Sequence, residues 1–131
     1  MRVCTTVPAA GLVLLALGAS ACSNEESPQY HDAVLENSVR SYGQALTAPD
    51  APAAWRLMSK RCQSMSSLKT VAAVADVTHK RWGAIPVKTV HIDELSGTHA
   101  VVSYDYDKET GQKRRDWVRE GGVWKDDCSN S

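Results

Sequence analysis

Hydrophobic residues along this chain follow three successive spacing regimes. From Val3 to Ala21 there is no charge at all, and the centre, Gly11 to Leu17, is rich in leucine. From Ser27 onward the apolar positions take helical spacing. Leu35, Val39, Tyr42 and Leu46 fall at offsets of four, seven and eleven, one face of an amphipathic helix that Ser27-Pro28 can open. Ala48-Pro49-Asp50-Ala51-Pro52 interrupts it, and Asp50 can cap a short second helix carrying Trp55, Met58 and Cys62. A third helix is predicted from about Leu68, with Val71, Ala75, Thr78 or His79 and Trp82 on one side and Gly83 as its terminator. Beyond Pro86 the period drops to two and β-branched and aromatic residues take over. Strands are predicted at Val87 to Leu95, across Ala100-Val102-Tyr104-Tyr106, at Gln112 to Glu120 and at Val123 to Asp126. The turns between them fall at Ser96-Gly97, Asp107 to Gly111 and Gly121-Gly122.

The first regime reads as a secretory leader: Arg2, then an apolar stretch, then Gly18-Ala19-Ser20-Ala21 before Cys22. A membrane-spanning helix is the competing reading of such a run. Cys4, Thr5, Thr6 and Pro8 suit it poorly. Ala19-Ser20-Ala21 is an A-x-A cleavage site, and with Cys22 it is similar to a lipobox, although Ala19 stands where a leucine is usual. The two readings share one cut and differ in chemistry: an acylated Cys22 anchors the chain to a membrane, whereas an unmodified one leaves it secreted. Two or three acyl chains hold firmly where one would not, at about 0.8 kcal/mol for each buried methylene. The expected organisation is therefore a signal peptide over 1–21, a lipidated cysteine and polar tether over 22–29, and one domain over 30–131.

Removal of the leader takes Arg2 and leaves 14 cationic against 15 acidic side chains, a balance without the electrostatic footprint of a nucleic-acid binder. Lys113-Arg114-Arg115 is a local basic run, but Asp116 follows it and the group reads as a solvated strand edge. Of the four cysteines, Cys4 leaves with the leader and Cys22 is the proposed lipid site. Cys62 and Cys128 remain, and an even pair in an exported chain predicts a disulfide.

Helices followed by an antiparallel meander predict an α+β domain, the N-terminal helices packed on a curled sheet of three to four strands. That order, ending in Val118-Arg119-Glu120-Gly121-Gly122-Val123-Trp124-Lys125 and a cysteine, resembles the nuclear transport factor 2-like fold. More narrowly it is similar to the small actinobacterial lipoproteins that carry this fold behind a lipobox. The resemblance implies a cone-shaped cup between helices and sheet, often a ligand pocket or a dimer surface, and no single reaction.

Candidate chemistry is sparse. Asp105, Asp107, Glu109 and Asp116 match positions 1, 3, 5 and 12 of a calcium loop, but Thr110 replaces the required glycine and the flanks read as strands, so a charged hairpin turn accounts for them. No two of His31, His79, His91 and His99 have metal-ligand spacing, and neither metal nor cofactor is expected. Serine-nucleophile and nucleotide motifs are absent. His91 and Asp93, two apart on one strand, share a face and could form an acid/base pair of the kind used by isomerase and dehydratase members of the fold. Tyr42, Trp55, Trp82, Tyr104 and Trp124 could line an apolar cup or simply pack the core. The leading expectation is a non-enzymatic envelope lipoprotein that binds an apolar small molecule or an envelope protein, with a homodimer through the sheet as a further arrangement. The alternative is a small cup-fold enzyme using the His/Asp pair.

Overall fold

In the computed structural model, which describes residues 28–107 and 110–128, four helices precede a four-stranded sheet. The leader, Cys22, the tether up to Ser27, Glu109 and the side chain of His31 lie outside the described residues. Helix α1 spans Pro28–Thr47 and turns Leu35, Val39 and Tyr42 into the core, the stripe expected from their spacing. Asp50 then caps α2, Ala51–Arg56, its carboxylate accepting from the Ala53 N–H at 3.1 Å.

The second helix expected from Asp50 through Cys62 is in fact two. Helix α2 stops at Arg56, and a new helix, α3, runs Lys60–Ser64 with the Ser59 hydroxyl accepting from the Cys62 N–H at 3.0 Å. Between them the backbone leaves the helix to pair with the far end of the chain. The Asp126 N–H donates to the Leu57 carbonyl and the Ser59 N–H donates to the Asp126 carbonyl, both at 2.8 Å. Helix α4, Leu68–Trp82, starts where the sequence indicates and ends as it indicates at Gly83, and it opens on a cap from Ser67, whose hydroxyl accepts from the Thr70 N–H at 3.1 Å.

The strands β1 (Val87–Ser96), β2 (His99–Tyr106), β3 (Gly111–Glu120) and β4 (Val123–Asp126) form one antiparallel meander in the order β1-β2-β3-β4. Gly121 and Gly122 both have positive φ, 55° and 79°, the conformation a two-residue hairpin turn demands and glycine supplies without strain. Register shifts occur at Val87/Thr89 and Ile92/Glu94 in the first pairing and at Val102/Tyr104 in the second. Such irregularities bend strands, and the sheet curls around the helices. Its inner face carries Ala100, Val102, Tyr104 and Tyr106 from β2, Trp117 from β3 and Trp124 from β4, all buried.

Helix α1 lies close on this face at Gly43, where a Cβ would collide with Val87 Cγ2. The Tyr106 hydroxyl donates to the Gly43 carbonyl at 2.9 Å, fixing the approach. Cys62 and Cys128 are joined as a disulfide with Cα atoms 5.3 Å apart across 66 positions of sequence. Beside it Arg61 pairs with Asp127 at 3.1 Å, and Ser59 donates to the same carboxylate. The segment Asp126 to Cys128 is thus stitched to the α2–α3 junction. No helix among the described residues is long and apolar enough to cross a membrane.

Candidate functional site

Between α4 and the inner face of the sheet the packing is incomplete and leaves a cleft of about 300 Å³, at the lower end of the range for small-molecule sites. Its geometry follows from the cleft-facing side of α4, where Thr70, Val71, Val74 and Thr78 are too short to reach across to β2 and β3. Leu46 and Tyr42 of α1, Met58, and Tyr104 and Tyr106 of β2 complete the apolar wall, while Ser66, Thr110 and Gln112 supply polar groups. Trp82 also lies along the cleft, with the Arg81 guanidinium 4.8 Å from its ring centroid, a cation–π contact.

Three of the five aromatic residues expected in a cup, Tyr42, Trp82 and Tyr104, lie along this cleft. Trp124 does not. It is fully buried on β4, under the strip where Leu57 to Ser59 pair with that strand, and belongs to the core. Trp55 likewise misses the cleft: α2 ends one residue later, and the ring is only partly buried against the core.

At the inner end lies an ion pair that the sequence reading missed. Arg115 meets Asp126 side-on, Nε donating to Oδ1 at 3.1 Å and Nη2 donating to Oδ1 and Oδ2 at 2.8 and 2.6 Å. Asp126 is 0% exposed and Arg115 20%, so Arg115 is no solvated strand edge. The other two members of the basic run do face water, Lys113 paired with Asp105 and Arg114 with Glu94 across the sheet. Strand parity carries the signal: Arg115 shares a face with Trp117, and Asp126 with Trp124, so both belong inside.

Burial shapes the electrostatics of this end. Desolvation lifts the Asp126 carboxyl above the ordinary carboxylate range, even though the Arg115 guanidinium opposes it. Burial by itself pulls the Arg115 guanidinium down, but the Asp126 charge outweighs this and holds it above its usual value. The Tyr42 phenol is raised by burial and by the neighbouring Asp126 charge. Tyr104 is held well above its normal value mainly by burial, and Tyr106 is pushed up to about 12 for the same reason. All three phenols therefore stay protonated at neutral pH, as hydrogen-bond donors.

The His91/Asp93 pair lies elsewhere. The His91 side chain is 79% exposed, on the face of β1 opposite the partly buried Val90 and Ile92, and its Nε2 is 3.7 Å from Asp93 Oδ1. Asp93 sits at the β1 register shift and accepts from the Ser103 hydroxyl at 2.7 Å. Neither lines the cleft. His79 is tied to the α1 C-terminus, its Nδ1 2.7 Å from the Thr47 carbonyl, and His99 is exposed. The acidic hairpin holds ion pairs, Lys88 with Asp107 and Lys113 with Asp105. One group of three side chains has metal-ligand proximity among the described residues, namely Cys62, Cys128 and Asp126. Its sulfurs are bonded to each other and its carboxylate is engaged by Arg115.

No protein-family model matches the chain, and neither does any curated protein. Among solved structures it is similar to a candidate NTF2-like transpeptidase from Campylobacter jejuni, with a TM-score of 0.52 and 14% identity over 72% of this chain and 97% of that one. At that identity the likeness shows the fold alone. Helices followed by a curled four-stranded antiparallel sheet give an α+β domain with an NTF2-like fold.

Proposed function

We infer that this chain is a lipid-anchored, extracytoplasmic binding module whose cleft receives an apolar small molecule. The observation that carries the reading is the cleft itself, walled by Tyr42, Leu46, Val71, Trp82 and Tyr104. Its lining also favours binding over catalysis. Among the described residues along it there is no carboxylate, imidazole, amine or thiol; the titratable groups are three buried phenols and one paired guanidinium. Transpeptidation, the description carried by the Campylobacter structure, requires a nucleophile beside a base. The hydroxyls along this cleft, Ser66, Thr70, Thr78 and Thr110, have no such base among the described residues lining it.

The address rests on the leader and on Cys22, small residues before the cysteine and Ser23-Asn24-Glu25-Glu26-Ser27 after it. The Cys62–Cys128 disulfide suits an oxidising compartment. Intact-mass measurement on protein from the membrane fraction of a bacterial host tests both halves. The expected species begins at Cys22 with acyl chains attached, and Cys22→Ala releases the protein from the membrane. Organic extraction of the same sample is expected to yield a co-purifying apolar compound. An unprocessed N-terminus in cytosolic material, or an anchored protein to which no apolar molecule can be bound, overturns the corresponding half.

A further inference from the structure

Arg115 is the one charged side chain among the described residues lining the cleft. Its Nε and Nη2 are spent on Asp126, and its Nη1 makes no hydrogen bond among the described residues. Asp126 lies behind it, fully buried and outside the lining. A molecule in the cleft therefore meets N–H donors on a guanidinium whose charge is already balanced.

That arrangement discriminates among ligands by charge and by hydrogen bonding. A carboxylate placed on Nη1 would find its attraction to Arg115 offset by repulsion from Asp126, and would lose its own hydration besides. A pure hydrocarbon would cover Nη1 and leave its donors without an acceptor. A neutral molecule with one acceptor oxygen satisfies Nη1 and adds no charge. We propose that the cleft selects uncharged, apolar molecules carrying a carbonyl-type oxygen, received by Nη1 of Arg115, over both carboxylates and plain hydrocarbons. This specificity rests on the binding reading above and names its ligand class.

Three probes of one shape separate the cases: 2-acetylnaphthalene, 2-ethylnaphthalene and 2-naphthoate, titrated at pH 7 into the oxidised, full-length processed protein with calorimetry as the readout. The ketone is expected to bind about tenfold more tightly than the hydrocarbon, the worth of one hydrogen bond to a charged donor, and more tightly than the carboxylate. Trp82→Ala weakens all three alike if they occupy the cleft. Arg115→Met alone strands a buried carboxylate, so the informative variant is Arg115→Met with Asp126→Leu, which removes both charges together. In it the ketone loses its advantage and binds no more tightly than the hydrocarbon, which is relieved of covering unpaired donors. Should that variant fail to fold, Arg115→Lys keeps a charge for Asp126 while removing Nη1, and gives the same loss. Equal affinities for ketone and hydrocarbon, or tightest binding of the carboxylate, overturn the proposal and leave the binding reading standing. If none of the three binds, the binding reading itself fails.

Discussion

Trp117 and Trp82 sit in the same helix-on-sheet layer and meet opposite fates. Trp117 is fully enclosed, with Tyr42 edge-on at 5.8 Å between ring centroids, at the end where the disulfide and the Leu57–Asp126 pairing draw the chain shut. Trp82 stands half-buried at the open end, under Arg81. The two ends draw on the same kinds of residue and differ in what crosses the layer. At the closed end a bridging strand segment and large aromatics fill the space, whereas at the open end α4 presents threonines and valines that stop short of the sheet. A cup is thus a core left unfilled on one side.

The largest effects should fall on the closed end. Trp117→Ala removes a fully enclosed indole and is expected to cost about 3–5 kcal/mol in urea unfolding. Trp82→Ala should cost about 1 kcal/mol, in keeping with a half-exposed position. Equal losses would mean that the cleft is closed in solution and Trp82 is core. Next comes the sulfur bridge, whose loop of 66 positions is worth about 4 kcal/mol by chain entropy. Unfolding midpoints measured with and without reductant, and for Cys62→Ala with Cys128→Ala, should agree on that loss. A reduced protein as stable as the oxidised one would show that hydrogen bonding around Asp126 closes this end unaided.

Much of the architecture was legible in the sequence because it depends on local spacing. The change of period at Pro86, the cap at Asp50, the stop at Gly83 and the paired glycines at Gly121-Gly122 act within a few residues of themselves. The break of the second helix at Leu57 was not legible, because its cause is Asp126, nearly seventy positions away. The site was half legible. Tyr42, Trp82 and Tyr104 announce apolar surface, but composition cannot separate a cleft wall from a core, and Trp124 fell on the wrong side of that division. Arg115 was hidden by its neighbours: Lys113 and Arg114 both face water, and only its spacing of two from Trp117 shows that the third cation turns inward, because the register shift at this point breaks the alternation before it.

Alkaline pH probes both ends together. Tyr42 and Tyr104 are raised and Tyr106 is pushed up to about 12, each chiefly by burial, while the unfolded chain releases phenol protons near 10. Below that pH the protonated forms dominate in both states and the contribution to stability is constant. Above it the unfolded state binds fewer protons than the folded one, so stability falls as pH rises through 10 toward 12. Unfolding midpoints in urea should be level from pH 8 to 9.5 and drop by pH 11. Absorbance from these three tyrosinates should appear only with unfolding. Their ionisation near pH 10 in still-folded protein would show that water reaches the wall of the cleft freely.

The smallest effect, and the sharpest on the open end, concerns Thr78. Its hydroxyl donates to the Val74 carbonyl at 2.8 Å within α4, so its polarity is spent on its own helix. A residue that has met its hydrogen-bonding need locally has little left to offer a ligand. Thr78→Val is therefore expected to change stability by less than about 0.5 kcal/mol and to leave the preference for 2-acetylnaphthalene over 2-ethylnaphthalene intact. If the substitution erased that preference, the threonine hydroxyl, not Arg115, would be the group that meets the ketone. Polar recognition would then belong to the wall of the open end, and the ion pair would serve only to hold the closed end shut.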